Sequence, residues 1–269
     1  MSFEFGQALE VTDAARIAMI ARVFRGKGRP VVLVPLQTHF HAGHAALLRA
    51  ARRIPGAVTI VAAHPSIDRR MLVDAHIDAV FRYTDETLWP NGKRTTIAVA
   101  DRGMLPPAHL SADATRILAL INAVGCSDVI LGENNYELLV TVQHAITDLH
   151  FPTTVHSVPT VRMPGGVAVS AKNLDIPASS QEQLLALSAA LTAGAHASEH
   201  GTGAVLAAVR SVLSAANLTA DYIELFAPTL APAPETGDAR LFAAVTINGQ
   251  QFHDSVGLPL GIGFKNLEA

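Results

Sequence analysis

The sequence has few aromatic residues, few charged residues and a single cysteine. Aromatics make up 5% and charged residues 16% of the 269 residues, whereas 49% are hydrophobic. The core volume must therefore come from Ala, Val, Leu and Ile, which favours helices packed on a buried parallel sheet over an aromatic-rich sandwich. Cys126 alone permits no internal disulfide and no zinc site built from cysteines, as expected of a protein in a reducing cytosol.

The sequence also lacks a basic excess and a long apolar run. Its 20 Lys and Arg against 23 Asp and Glu give a formal charge of -3. The chain therefore has no excess of positive charge to neutralise the phosphate backbone of a nucleic acid. No uninterrupted apolar stretch reaches the length of a membrane span. Residues 1–10 carry acids before any apolar run, unlike a signal or transit peptide. We expect a cytoplasmic protein that binds neither nucleic acid nor membrane.

The first 160 residues alternate between short apolar runs and stretches with helical periodicity. A helix over 14–24, capped by Thr12 or Asp13, is expected to precede the first strand at 30–35. The further predicted strands are 57–63, 78–82, 95–100, 128–131 and 153–158, and the further predicted helices are 42–53, 68–76, 111–124 and 136–148. This alternation predicts an α/β fold with a Rossmann-like, doubly wound parallel sheet in a first domain, residues 1–160.

The pattern changes after residue 160. A tight hairpin about Pro164-Gly165-Gly166 is expected within 161–170, followed by two helices at 179–195 and 202–216. Strands follow at 221–226, 240–247 and 250–256, and Asn248-Gly249 between the last two is a strong hairpin signal. The sequence therefore predicts a second, smaller α+β domain, residues 161–269.

The segment His39 to His44 carries the strongest chemical signal. It lies between a predicted buried strand and a predicted helix, where open α/β sheets bind their ligands. His41 and His44 are three residues apart, so at a helix start both imidazoles face one side, next to backbone N–H groups that suit a phosphate. Gly43 lets a ligand approach the backbone closely. The alternatives are a polar cap, a chance cluster among 12 histidines, or a transition-metal site that no neighbouring carboxylate or thiol completes.

At these residues the sequence resembles a known family. PLQTHFHAGH at 35–44 is similar to the adenylate-binding motif PTMGALHEGH of the pantothenate synthetase, or pantoate-beta-alanine ligase, family. Four later segments resemble family segments in the correct order: 91–96 (NGKRTT), 131–136 (LGENNY), 158–162 (VPTVR) and 169–173 (VSAKN). The resemblance implies a nucleotidyltransferase-type Rossmann fold and ligation of pantoate to beta-alanine, with ATP and Mg2+ and with release of AMP and pyrophosphate. It also implies a homodimer.

The resemblance assigns roles to particular residues. It places His41 and His44 at the phosphates, and His44 at the position of the active-site acid. Gly132 would let the adenosine lie against the backbone, and Ser170 and Lys172 would lie on a loop over the phosphates. The full set of implied ATP contacts is Gln37, Thr38, His41, Gly43, His44, Gly132, Asn134, Asn135, Val161, Val169, Ser170 and Lys172.

The departures from the family pattern fall on residues that carry chemistry. Asn134 stands for a lysine, Asn135 for an aspartate, Leu138 for a glutamine that binds pantoate, and Lys172 for an arginine. A segment with a second pantoate-binding glutamine is replaced by residues 63–66, where His64 either takes over substrate binding with Leu138 or merely caps the strand. The leading hypothesis is an adenylate-forming ligase with altered recognition of its acid. The alternative is a paralogue that binds a nucleotide or partner without ligation.

Overall fold

The computed structural model of the protein describes residues 3–36 and 39–262. They form two compact units, one within Met1–Asp101 and Leu105–Thr160, the other within Arg102–Met104 and Val161–Ala269. Over the described residues, the first unit holds a six-stranded parallel sheet and the second a three-stranded antiparallel sheet. This arrangement confirms the predicted α/β fold class with a smaller α+β part towards the C-terminus.

The first unit alternates strands and helices along the chain. Its strands are β1 (Leu9–Val11), β2 (Val31–Leu36), β3 (Val58–Ala63), β4 (Ala79–Arg82), β5 (Asp128–Gly132) and β6 (Thr154–Val158). Its helices are α1 (Ala14–Gly26), α2 (Ala42–Arg52), α3 (Arg69–Asp74), α4 (Asp85–Leu88), α5 (Pro107–Val124) and α6 (Tyr136–Asp148). The strands follow the order β1-β4-β3-β2-β5-β6.

The centre of this sheet is built from the apolar runs that the sequence predicts as strands. All six residues of β3 are buried, and in β2 only Pro35 is partly exposed. The two strands pair in parallel from Val31 opposite Val58 to Leu36 opposite Ala63. A strand that is covered on both faces needs an uninterrupted apolar sequence, which explains why these two strands were predictable.

Two expectations about the first unit are wrong. The strand β1 precedes α1, so the first helix does not come before the first strand, and Leu9–Val11 pairs with Ala79–Phe81 of β4. Residues 95–100, expected to be a strand, form no strand and are mostly exposed. The amide of Ile97 donates to Thr115 Oγ1 at 2.9 Å instead of to a neighbouring strand.

The strand order reverses between β2 and β5. From β2 the chain builds the sheet outward through β3 and β4, and it then returns to add β5 and β6 on the other side. In open parallel sheets, the carboxyl ends of the strands on either side of such a reversal frame a crevice where ligands bind. The loops that follow β2 and β5 are therefore the first place to look for a site.

The second unit packs two helices on an antiparallel sheet. Its elements are α7 (Ala171–Leu174), α8 (Gln181–His196), α9 (Thr202–Ala215), β7 (Ala220–Phe226), β8 (Gly237–Ile247) and β9 (Gln250–Leu260). Asn248 and Gly249 join β8 to β9 with φ angles of 52° and 77°. A two-residue hairpin turn of this kind requires positive φ at both positions, so this turn confirms the prediction made from Asn-Gly. No helix in the described part of the chain is both long enough and apolar enough to cross a membrane.

Candidate active site

The first turn of α2 lies after the carboxyl end of β2, beside the reversal of strand order. His41 occupies the N-cap position in an extended conformation, its side chain makes no capping hydrogen bond within the described residues, and the first turn contains no acidic residue. The first N–H groups of α2 are therefore left uncapped by this residue, and such groups attract an anion. Gln37 and Thr38, two of the implied ATP contacts, lie outside the described residues.

The imidazoles of His41 and His44 lie on one side of the helix start, as the three-residue spacing predicts, and they stack on one another. Their ring centroids are 3.9 Å apart and their planes differ by 19°. The Nδ1 atom of each ring is buried and has no hydrogen-bond partner among the described residues. A buried polar atom without a partner costs free energy, so two such atoms side by side are best explained by a ligand that supplies the missing partners.

Both imidazoles are neutral at neutral pH. Burial and, to a lesser extent, the neighbouring His41 lower the pKa of His44 to about 4, against the opposing effect of a hydrogen bond with the His39 backbone. Burial and then His39 lower the pKa of His41. A neutral imidazole still offers one donor and one acceptor. A bound phosphate would favour the protonated form and raise both pKa values.

The end of β5 faces the same edge of the sheet as the end of β2. Gly132 closes β5 with extended backbone, at φ -88° and ψ 145°. A Cβ placed on Gly132 would lie 3.6 Å from Leu47 Cδ2, which is ordinary van der Waals contact. The chain itself therefore has room for a side chain at this position, so any requirement for glycine would come from a ligand.

The residues after Gly132 form a short 3-10 turn that leads into α6. The Oδ1 atom of Asn135 accepts a hydrogen bond from the Leu138 amide at 3.2 Å, which makes Asn135 the N-cap of α6. Asp and Asn are equivalent caps, so the family's aspartate can be replaced here without loss of the helix start. Asn134 and Leu138 are half-buried beside this cap.

His64 follows β3, the other neighbour of β2 in the sheet. Its Nδ1 atom lies 3.2 Å from the Ser66 amide nitrogen and 2.9 Å from Ser66 Oγ. Because a backbone N–H can only donate, Nδ1 must accept, and the neutral ring carries its proton on Nε2. The His64 carbonyl in turn accepts a bond from Arg82 at 3.3 Å. This short loop thus holds His64 as a donor with a fixed tautomer.

In the second unit, the predicted phosphate loop follows a tight hairpin. The amide of Val169 donates to the Val161 carbonyl at 2.8 Å, so these two implied ATP contacts pair with one another through the backbone. Ser170 caps the short helix α7, with its Oγ atom accepting from the Asn173 amide at 3.2 Å. Lys172 is exposed on that helix.

Arg162 ends the VPTVR segment, and its partner Asp254 was not identified from the sequence. The two residues form an ion pair of 2.6 Å between Arg162 Nη1 and Asp254 Oδ2. Asp254 occupies an inward-facing position of β9, opposite the core residue Ala243. The other inward-facing positions of β9 are apolar, so an acidic residue at one of them is the sequence signal that could have identified Asp254.

The described residues contain no group of three or more His, Cys, Asp or Glu side chains that could hold a metal ion. The stacked pair of His41 and His44 supplies two imidazoles, and their Nδ1 atoms, which have no partner among the described residues, suit an oxyanion at the helix start.

Comparison with known proteins gives consistent similarities. A model of the pantoate-beta-alanine ligase family matches residues 63–256. The chain is 37% identical to the pantothenate synthetase of Corynebacterium jeikeium strain K411, over 100% of this chain and 95% of that protein. It is 35% identical to the pantothenate synthetase of Mycobacterium avium strain 104, over 95% of this chain and 91% of that protein.

Solved structures agree at the level of the fold. The pantothenate synthetase of Thermus thermophilus superposes with a TM-score of 0.79 at 24% identity, over 92% of this chain and 98% of that one. The pantoate-beta-alanine ligase of Francisella tularensis, solved with beta-gamma ATP and beta-alanine, has a TM-score of 0.72 at 18% identity, over 93% of this chain and 97% of that one.

Proposed function

The chain belongs to the pantoate-beta-alanine ligase family, and we propose that it uses ATP to join a small hydroxy acid to an amine through an acyl adenylate. The observation that carries the proposal is the stacked pair of His41 and His44, whose buried Nδ1 atoms lack partners among the described residues at the first turn of α2. That turn follows β2 at the reversal of strand order, where nucleotides bind in open α/β sheets.

The reaction has two steps. A carboxylate oxygen of the acid attacks the α-phosphorus of ATP, the bond to the bridging oxygen breaks, and pyrophosphate leaves. The amine nitrogen then attacks the acyl carbon, the bond to the AMP oxygen breaks, and the nitrogen loses a proton as AMP departs. Little covalent chemistry falls to the protein, so its residues act by aligning the groups and by stabilising the charge on the phosphates.

We propose that His41 and His44 are the catalytic residues at these phosphates. The neutral His44 ring already donates to the His39 backbone, so its Nδ1 atom can donate to a phosphate only when the ring is protonated. A nearby triphosphate would favour the protonated form of both rings. Gly43 keeps the helix start open to the phosphates. The further proposed ATP contacts are Gln37, Thr38, Gly132, Asn134, Asn135, Val161, Val169, Ser170 and Lys172.

We propose that Mg2+ arrives on the nucleotide. Mg2+ usually keeps several waters and binds substrate phosphates with one or two carboxylates, so it needs no cage of protein ligands. When bound, the ion would neutralise part of the phosphate charge.

The acid substrate is proposed to contact His64 and Leu138. The Ser66 amide fixes His64 with its proton on Nε2, so the ring can donate one hydrogen bond where the family has the amide of a glutamine. Leu138 is half-buried and apolar where the family has its other pantoate-binding glutamine. The proposed substrate is therefore a hydroxy acid that is less polar at one end than the acid the family usually binds.

The proposal is tested by measuring pyrophosphate release with ATP, Mg2+ and beta-alanine, in the presence of pantoate or each of a panel of small hydroxy acids. We expect release with a hydroxy acid other than pantoate, and little release with pantoate at ordinary concentrations. ATP binding without pyrophosphate release from any acid would identify a nucleotide-binding paralogue. The absence of ATP binding to the folded protein would refute both functions.

The role of His64 has its own test. His64→Ala should raise the KM for the acid about tenfold, because a hydrogen bond to a charged group is lost, and should leave the KM for ATP unchanged. His64→Gln restores an amide donor and should improve the use of pantoate relative to wild type. Equal KM values for the acid in all three proteins would remove His64 from the substrate site.

A homodimer and a cytoplasmic location are expected from the sequence and stay predictions. The dimer is tested by light scattering of the full chain at several concentrations. A mass near 56.6 kDa, twice the 28.3 kDa of one chain, is the expected result.

A further inference from the structure

The hairpin of residues 161–169 is held together by a short ladder of backbone bonds. Met163 N donates to Val167 O at 2.8 Å, and Val169 N donates to Val161 O at 2.8 Å. Arg162 and Ala168 face one another between these bonds as an isolated antiparallel bridge. The chain passes directly from this ladder into Ser170 and α7, so the orientation of the hairpin sets the position of Lys172.

One end of the hairpin is fixed by its turn. Gly165 and Gly166 have φ angles of 94° and 90°, which side chains rarely adopt. A Cβ on Gly165 would lie 2.7 Å from Leu185 Cδ2, and one on Gly166 would lie 2.5 Å from Ser188 Oγ. The positive φ angles favour glycine at both positions, and the turn packs against the side-chain ends of Leu185 and Ser188 on α8.

The other end is fixed by Arg162. Its guanidinium donates to Asp254 twice, from Nη1 to Oδ2 at 2.6 Å and from Nη2 to Oδ1 at 3.1 Å. Nη1 also donates to the Gly166 carbonyl at 2.8 Å, and Nη2 donates to the Ser255 carbonyl at 3.3 Å. One side chain thus joins the hairpin turn to β9 through four hydrogen bonds.

The Asp254 carboxylate is buried and fully paired, because the Ser255 amide donates to its Oδ1 atom at 2.7 Å in addition to the two bonds from Arg162. Its side chain is 7% exposed, and its neighbours on the inward face of the sheet are the core residues Ala243 and Phe252. Replacing a buried ion pair by apolar residues is often neutral or stabilising, so the pair is weak evidence for stability. A bidentate Arg–carboxylate pair does, however, impose one geometry on the groups it joins.

The segment after the hairpin lies near the same strand. Burial lowers the pKa of His253 on β9, and the Lys172 ammonium is the second cause of the shift. The Lys172 charge is therefore close enough to β9 to affect the residue next to Asp254.

We propose that Arg162 and Asp254 are positioning residues that orient the segment Val169–Lys172 for nucleotide binding. The inference rests on the proposed function, in which Ser170 and Lys172 contact the phosphates of ATP. The ion pair acts through the hairpin: it fixes the stem against β9 while the glycine turn fixes the tip against α8. Neither residue needs to touch the nucleotide.

The first experiment measures ATP affinity by calorimetry in the presence of Mg2+. Asp254→Asn keeps one acceptor and loses the charge, and we expect its Kd for ATP to rise about tenfold. The decisive variant is the double replacement Arg162→Met with Asp254→Leu, which fills the site with apolar groups. Its melting temperature should equal or exceed that of Asp254→Asn, while its ATP affinity should stay low. Recovery of ATP affinity together with stability would show that the pair is merely structural and would overturn the proposal.

The second experiment does not depend on nucleotide binding. Hydrogen–deuterium exchange is compared between wild type and Asp254→Asn for the amides of residues 161–173. We expect exchange about tenfold faster in this segment, with no change in α2 or α6. Unchanged exchange in the segment would overturn the proposal whatever the nucleotide results. A wild-type protein that binds no ATP would refute the proposed function, and the exchange comparison would still decide whether the pair orders the segment.

A matched control separates positioning from general destabilisation. Val209→Ala removes two methyl groups from the core of the same unit, where Val209 is fully buried on α9. The variant should lower the melting temperature and leave both the ATP affinity and the exchange of residues 161–173 unchanged. An equal loss of ATP affinity in Val209→Ala would attribute the effect of Asp254→Asn to stability and would overturn the proposal.

Discussion

The carboxyl ends of β2 and β5 meet at the same edge of the sheet, but the fold uses their polar groups differently. After β2, the Nδ1 atoms of His41 and His44 are buried without partners among the described residues. After β5, Asn135 Oδ1 accepts a bond from the Leu138 amide and starts α6. The unpaired Nδ1 atoms after β2 are therefore available to a ligand, whereas the Asn135 side chain after β5 already stabilises the start of a helix.

The largest expected effect is on turnover. His44→Ala should reduce pyrophosphate release by about 10²-fold or more, because the imidazole aligns the phosphates. Circular dichroism should show an intact fold, since alanine is the best helix former and the lost Nδ1 atom had no partner within the described part of the chain.

His196→Ala is the matched control for this change, because it removes an exposed histidine from a helix of the second unit. It should leave turnover unchanged. If His44→Ala is folded and fully active, the unpaired imidazole is not used in the reaction, and the end of β2 does not differ from the end of β5 in the way described above. A His44→Ala that unfolds would show that the imidazole serves stability instead.

The next effect is on stability as a function of pH. The pKa of His44 is about 4 in the folded protein, below the value of about 6.5 in the unfolded chain. The unfolded state therefore binds a proton first, so stability is full above pH 6.5 and is lost as the pH falls towards 4. Protonation of His44 should shift the unfolding equilibrium towards the unfolded state by up to about tenfold for each pH unit by which the pH falls in that window.

Urea unfolding of wild type and His44→Ala at pH 7.5, 6.0 and 5.0 measures this dependence. The free energy of unfolding of the variant should fall less steeply with decreasing pH than that of wild type. His41 should contribute to the remaining slope, because burial also lowers its pKa. Parallel pH dependences in the two proteins would show that His44 is not held neutral by its surroundings.

A smaller effect is expected at the end of β5. Asn135→Ala should destabilise the protein by about 1 kcal/mol, because the N-cap of α6 is lost, and Asn135→Asp should retain the stability. Chemical unfolding of the three proteins measures the difference. If Asn135→Ala instead weakened ATP binding with no loss of stability, the Asn135 side chain would serve ligand binding, as proposed for His41 and His44, and not helix capping.

The smallest effect is expected at Gly132. Gly132→Ala should change stability by less than about 0.5 kcal/mol, because the new methyl group meets Leu47 at 3.6 Å and the backbone is extended. A fall in ATP affinity in this variant would therefore report on the ligand alone. Unchanged ATP affinity would show that the nucleotide does not lie against the backbone here.

The long elements of the fold could be predicted because their signals are local. The buried runs of β2 and β3 and the start of α6 at Tyr136 agree with the sequence pattern. The three-residue strand β1 is too short for any periodicity, and it exists because β4 provides a partner. Residues 95–100 have the composition of a strand, but they pair with no strand of the described chain and bond to Thr115 on α5 instead.

The α/β alternation, the hairpin at Asn248-Gly249 and the shared face of His41 and His44 follow from the sequence alone, because each depends on residues a few positions apart. Tertiary contacts determine which polar groups are paired. They leave the two histidine Nδ1 atoms without partners among the described residues, and they bring Asp254 to Arg162, 92 residues away along the chain. Pairing of this kind depends on burial and on contacts between distant segments, and neither can be read from local spacing.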